Sequence, residues 1–410
     1  MPLASGTHPG TIPALEEART LTDTLFRILR GDDAWYERPI PERHRLIFYL
    51  GHLEAFDWNL IGAGCFERDS VHGSLDRLFA FGIDPDPGQL PDDRASDWPS
   101  IEETRRYSAA VRDHLDPLLM KTPEELLHVA LEHRLMHAET LTYQLHNLAY
   151  ELKIPQPRPP APRSAANGRH ERMVEVPAGI ASLGKRRGES FGWDNEFEQV
   201  GITVAAFGVR KYKVTNGEYL DFVRAGGPAP HYWIERRGEW LYRGIFSEIP
   251  LPLSWPVYVT LEQARAYATW AGGQLPSEAQ WHRAALGTKE DGEREYPWGD
   301  SPPDLSRGNF GFTSWDPVAV TATPEGDSAF GVSQLTGNGW EWTSTVFEPF
   351  PGFEPFPFYP GYSVNSFDGA HFVLKGGSPV TAARLLRRTF RNWFRPAYPY
   401  VYATFRYVET

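Results

Sequence analysis

The chain has 410 residues, enough for two or three domains with substantial cores. Its 41 Lys and Arg against 53 Asp and Glu leave a formal charge of −12, the wrong sign for neutralising nucleic-acid phosphates or docking on anionic lipid. The 14 Trp, 18 Tyr and 24 Phe exclude a disordered chain, and the single cysteine, Cys65, excludes an intramolecular disulfide framework and any thiolate-cluster metal site.

No apolar run approaches the roughly 18 residues of a membrane span. Residues 1–10 carry neither a basic nor an apolar leader region. The expectation is a soluble, cytoplasmic protein that works on small molecules, without nucleic-acid or membrane partners; the sequence leaves its oligomeric state open.

From about residue 14 to 152 apolar residues recur at helical spacing: Leu21, Leu25, Ile28 and Leu29, then Ile47, Leu50, Leu53 and Leu60. Further helices are predicted over 101–119 and 123–150, with Thr122 as the cap and Pro123 at the first helical position. Four such helices predict a bundle over 1–152. Residues 153–170 follow, where Pro155, Pro157, Pro159, Pro160 and Pro162 stiffen the chain and bar helix continuation, which predicts a linker. Over 171–410 the texture changes to short β-like runs (173–176, 202–207, 257–260, 372–374) broken by Gly, Pro, Asn and Trp, with brief helices over 216–225 and 261–271. The fold class is α+β.

Within the last bundle helix, His133 and His137 stand four residues apart, one turn along the same face, the spacing that lets two imidazoles meet one cation. His52, on the second helix, is placed to add a third nitrogen. Three neutral imidazoles suit Fe(II), Zn(II) or Cu(II) and leave open positions for substrate and oxygen or water. A zinc-protease reading fails because Arg134 stands where the general-base glutamate belongs. Glu139 is the candidate to orient a ligand histidine from behind. His44, His128 and His146 read as surface or packing residues.

The second half carries Lys213-Val-Thr-Asn-Gly-Glu-Tyr219, Leu275-Pro-Ser-Glu-Ala-Gln-Trp281, Pro297-Trp-Gly-Asp300, Gly337-Asn-Gly-Trp-Glu-Trp-Thr343, Gly376-Gly-Ser378 and a closing Phe405-Arg406. Together these resemble the formylglycine-generating-enzyme (sulfatase-modifying-factor) domain, a C-type-lectin-like fold, over 171–410. That activity itself is excluded, because it needs a cysteine pair this domain lacks. The first half resembles a DinB-like four-helix bundle, and the combination is similar, over nearly the whole chain, to the ergothioneine-biosynthesis sulfoxide synthases. In that family a histidine on the second bundle helix and an H-x3-H-x-E motif hold non-haem iron, which implies His52, His133 and His137 as ligands of Fe(II), with Glu139 completing the motif. The implied reaction uses O2 to join a chalcogen donor to the imidazole C2 of hercynine, the trimethylated betaine of histidine.

The resemblance also places Asn392 and Trp393 in the hercynine pocket, with Arg391 and Arg395 as further candidates for its carboxylate. Where the family carries an Asp and an Arg that grip the charged ends of γ-glutamylcysteine, this chain has Phe394 and Tyr398. Leaving a zwitterion unpaired in a dehydrated pocket costs about several kcal/mol per ion, so a donor without charged ends is expected. This resembles the selenoneine-synthase branch, which takes a selenosugar. The alternatives are a C–S-forming sulfoxide synthase using cysteine or γ-glutamylcysteine and a DinB-type metal-dependent thiol transferase; outside enzymology, a lectin-like binding module. The family's oxygen-side tyrosine falls in 356–363, where the register leaves both Tyr359 and Tyr362 as candidates.

Overall fold

The computed structural model describes residues 10–80, 90–157 and 170–409. Chain contacts divide it into two units, Met1–Pro157 and Arg158–Thr410. Most of the proline-rich segment predicted as the linker lies outside the described residues.

The first unit is a bundle of α1 (Thr11–Phe26), α2 (Leu46–Asp57), a short α3 (Gly73–Leu78), α4 (Ile101–Leu119) and α5 (Glu124–Asn147). α1 packs on α5, and α2 on both α4 and α5. Because α2 has neighbours on several sides it is buried almost all round, Leu46 to Tyr49 and Gly51 to Ala55 included, and reads as an apolar helix more than as a one-sided one. A π-turn over Trp58–Ala63 prolongs it, which carries Leu60 into the core.

Three expectations need correction. Ile28 and Leu29 are buried but lie beyond α1: Leu29 forms an isolated bridge with Lys153, and the Ile28 carbonyl accepts the Ile154 amide at 2.7 Å. Burial at helical spacing does not distinguish such a bridge from another helical turn, and it holds Lys153 and Ile154, predicted as linker, on the bundle. Pro123 is the cap of α5, with extended ψ of 139°, and is not its first helical residue. Thr122 instead closes the preceding helix, its hydroxyl donating to the Leu118 carbonyl at 3.1 Å. α3 was not predicted. No helix among the described residues is long and apolar enough to cross a membrane.

The second unit is built from short strands and helices: β1 (Met173–Val176), β2 (Gly179–Leu183), β3 (Val200–Val204), β4 (Phe207–Arg210), α6 (Asn216–Arg224), β5 (Trp233–Arg236), β6 (Glu239–Arg243), β7 (Glu248–Pro250), α7 (Leu261–Trp270), α8 (Glu278–Leu286), β8 (Trp340–Val346), α9 (Gly361–Val364), β9 (Phe372–Lys375), β10 (Asn392–Phe394), β11 (Ala403–Thr404) and β12 (Val408–Glu409). The sheets run β1-β4-β12, β2-β3, β5-β6-β7 and β10-β9-β8-β11, with β11 parallel to β8. The run 202–207 therefore spans the break between β3 and β4. Residues 257–260 are extended but outside any named strand, bonding to Val214 and Ala403 through the Val257 and Val259 amides. α8, missed by periodicity, starts at Ser277, whose hydroxyl and Gln280 form a capping box; Thr215 with Glu218 and Thr260 with Gln263 start α6 and α7 in the same way.

The sequence motifs of this half are chiefly architecture. Lys213, Glu341 and Arg406 meet in the interior, with Arg406 Nε 2.6 Å and Lys213 Nζ 3.5 Å from the Glu341 carboxylate. Lys213 also donates to the Gly337 and Gly339 carbonyls, tying the motif strands together. Gly337 takes a positive φ of 75°, and a Cβ there would lie 2.4 Å from the Asn309 carbonyl oxygen. Trp340 and Trp342 are buried, the latter donating its indole N–H to the Val259 carbonyl.

Candidate metal centre and aromatic wall

In the first unit α2 and α5 bring His52, His133 and His137 together, with one potential ligand atom from each lying within 4.8 Å of the others. All three are buried. His133 and His137 face each other through Nε2 atoms 3.1 Å apart. His52 Nδ1 lies 2.6 Å from the Phe79 carbonyl, which only accepts, so Nδ1 carries the proton and Nε2 keeps its lone pair. That Nε2 has no hydrogen-bond partner. A buried nitrogen lone pair left unsatisfied beside two more imidazoles is the donor set a divalent transition metal takes.

Burial holds these imidazoles neutral. It lowers the His52 pKa to about 4 and pushes those of His133 and His137 well below the usual value, where His52 beside them further disfavours a charge on either. Apolar rings fix their planes: Phe48 stacks on His52 at 4.6 Å, and Phe56 on His133 at 3.5 Å and 11°. Glu139, buried on α5, accepts the Tyr143 hydroxyl one turn further along. Residues two apart on a helix point to different faces, so Glu139 and His137 do not share one.

Behind the histidines lies a charged cluster that sequence reading missed. Arg134 donates to Glu54 at 3.0 Å, to Asp57 at 2.9 Å and to the Leu53 carbonyl at 3.1 Å, all buried. Arg112 on α4 reaches Glu54 at 2.7 Å and grips Asp23 on α1 with two bonds of 2.8 Å. The signal was present as two acids three apart on an otherwise apolar α2 and an arginine beside His133.

In the second unit β10 pairs with β9, setting Trp393 opposite Val373 and Phe394 opposite Phe372. Trp393 stacks on Phe347 at 4.2 Å and 8°, and meets Tyr362 edge-on at 5.4 Å. Phe394, the next residue, turns to a different set of rings and stacks on Tyr398 at 5.1 Å and 14°. Asn392 accepts the Trp393 amide through its side-chain oxygen. Tyr362 also stacks on Trp193 at 3.9 Å, whereas Tyr359 lies 5.5 Å from Tyr362. Arg395 is 43% exposed and paired with Asp368 at 3.2 Å. Arg391 is no surface arginine: it is buried, paired with Glu278 at 3.1 Å, and covered by Phe347 and Phe350.

Residues 159–410 match the model of the sulfatase-modifying factor enzyme 1-like domain. Over 95% of its length the chain is 32% identical to the hercynine oxygenase of Mycolicibacterium thermoresistibile, of which it covers 94%. It is 33% identical to that of Mycolicibacterium smegmatis, with 93% of this chain and 94% of the relative aligned. It is 27% identical to ergothioneine biosynthesis protein 1 of Neurospora crassa over 97% of its own length, but spans only 58% of that longer protein. The chain thus belongs to the sulfatase-modifying-factor family through residues 159–410 and, along almost its whole length, to the family of the hercynine oxygenases.

Proposed function

We propose that this protein is an iron(II)- and O2-dependent oxidoreductase that joins hercynine, at its imidazole C2, to a thiol such as cysteine or γ-glutamylcysteine. The observation that carries the reading is the buried three-imidazole cluster with its unpartnered His52 Nε2, in a chain that aligns end to end with hercynine oxygenases. The reaction balances as C2–H plus R–SH plus O2 giving C2–S(O)–R plus water. His52, His133 and His137 would hold the iron, which when bound supplies the redox chemistry that couples to O2 reduction.

The remaining roles fall to side chains of the chain itself. Trp393, half-buried, offers an aromatic face to the trimethylammonium group, and Asn392 a polar contact beside it. Tyr362, held against Trp393, is the tyrosine in the better place to hand over a proton; Tyr359 stands one ring further off. Arg395 is a candidate for the hercynine carboxylate, at the cost of its pairing with Asp368. Glu139, the candidate to orient a ligand histidine, accepts the Tyr143 hydroxyl within α5.

A second reading concerns the donor. Phe394 and Tyr398 stack on each other and carry no charge for an amino-acid terminus, which favours a sugar-borne selenol, with formation of a C–Se bond in place of C–S. The test is an aerobic assay of Fe(II)-loaded protein with hercynine and, in parallel, γ-glutamylcysteine, cysteine and a selenosugar, read by mass spectrometry with a His133→Ala control. A sulfoxide from a thiol supports the first reading, and a selenium-bearing imidazole from the selenosugar alone supports the second. Thiol transfer that proceeds without O2 would replace both with a DinB-type transferase, and absence of any metal-dependent product overturns the hercynine assignment.

A further inference from the structure

The four residues Trp193, Asp194, Asn195 and Glu196 form a turn, closed by the Trp193 amide donating to the Glu196 carboxylate at 2.8 Å. All four are buried. The turn grips two segments at once. On one side Trp193 stacks on Tyr362, the Ser363 hydroxyl donates to Asp194 Oδ1, and Asn195 Nδ2 donates to Ser363 Oγ at 3.0 Å. On the other, the Glu196 carboxylate binds Arg387 and accepts the Thr389 hydroxyl, while the Asn195 carbonyl accepts from Arg391 at 3.4 Å. One side therefore holds the segment carrying the tyrosines, the other the approach to Asn392 and Trp393.

Apolar packing alone would hold these segments together, yet the turn buries a carboxylate and an amide and leaves Asp194 Oδ2 and Asn195 Oδ1 without a hydrogen-bond partner. Polar groups removed from water in this way are costly. What they add over packing is direction. A hydroxyl-to-carboxylate bond fixes Ser363 in one place, and Tyr362 is its immediate neighbour in α9, so the bond anchors the backbone from which the ring reaches Trp193.

We propose that Asp194, acting through Ser363, is a positioning residue that sets the Tyr362 ring against Trp393. Its kinetic consequence rests on the proposed hercynine chemistry, but its structural consequence does not. The full chain carrying Ser363→Ala, which removes only the hydroxyl, is compared with Asp194→Asn, which keeps an acceptor oxygen, and with wild type. Hydrogen exchange is followed over 356–366 and, as an internal control, over α8.

Exchange in 356–366 rises by about tenfold in Ser363→Ala and less in Asp194→Asn, with α8 unchanged. With hercynine, kcat of Ser363→Ala falls by about tenfold or more while KM moves by less than about threefold, because the Glu196 side of the turn still holds the Trp393 strand. Wild-type exchange in 356–366 overturns the proposal, as does faster exchange throughout the unit, which would make the pair merely structural. If wild type itself fails to turn hercynine over, the functional reading falls while the exchange data still decide this one. Should Asp194→Asn fail to fold, Ser363→Ala carries the test alone.

Discussion

Replacing Glu54 by Gln removes one negative charge from the middle of the bundle while keeping its shape and one acceptor oxygen. Glu54 takes hydrogen bonds from Arg134 at 3.0 Å and from Arg112 at 2.7 and 3.0 Å, and through them links α2 to α5 and α4. Truncating one member of a buried ion pair costs about 3–5 kcal/mol, chiefly because the partner charge stays buried. Here each arginine keeps a second carboxylate, Asp57 for Arg134 and Asp23 for Arg112, which places the loss at the lower end, about 3 kcal/mol. The assay is urea unfolding at neutral pH followed by helical circular dichroism. The midpoint falls by on the order of 1 M with the slope unchanged. A partner variant, Arg134→Met, and the double variant complete a cycle in which the double is less destabilised than the sum of the singles. A loss below about 0.5 kcal/mol for Glu54→Gln, or strict additivity, refutes the argument that these charges depend on each other.

His133→Ala or His137→Ala abolishes stoichiometric Fe(II) or Zn(II) uptake, read by elemental analysis, and leaves the unfolding midpoint of the second unit in place. Burial pushes Lys213 and Lys375 down to about 8, although Glu341 and Glu278 pull the other way. The unfolded chain holds these protons to about 10.5, so it binds more protons than the folded chain between those values, and the two lysines' contribution to stability rises with pH across that window and is flat below it. Urea midpoints of the second unit test this, and a steady fall from pH 8 upward contradicts it. Phe394→Asp with Tyr398→Arg restores charges for an amino-acid donor and raises kcat/KM for γ-glutamylcysteine by about tenfold or more relative to wild type, in competition assays against a neutral donor.

The elements legible in the sequence were those whose signal is local. Ile101–Leu119 emerged as a helix with its bounds because its apolar residues recur at helical spacing, and in the structure the Ser100 hydroxyl caps it by accepting the Glu103 amide. His133 and His137 were legible as a pair because four residues make one turn. His52 could be offered as a third nitrogen from its place on the second helix, but only the family resemblance set it above a satisfied core histidine, since nothing local singles out a residue 81 positions away in the chain. The Arg134 cluster stayed hidden for the same reason: it joins four helices, and no window of sequence contains more than part of it. The turn at Trp193 to Glu196 has no periodicity at all, and its meaning comes from partners roughly 170 to 200 residues further on. Arg391 and Arg395, alike in sequence, separate into a buried pair and an exposed one only when their neighbours are known.

The charged cluster and the neutral imidazoles are two answers to one burial problem. Desolvation keeps His52, His133 and His137 unprotonated, and the positive charge of Arg134 adds to that effect on all three. Each neutral ring keeps one nitrogen lone pair at neutral pH, which favours metal uptake. The same arginine, however, repels a dication. Glu54 and Asp57 offset that repulsion by standing against Arg134 within the core, Glu54 held at about 2 by its two arginines despite its burial. In this bundle the acids thus stand at the arginine and not among the three histidines. Carboxylates placed among the histidines would raise their proton affinity and compete for the open positions that substrate and oxygen require.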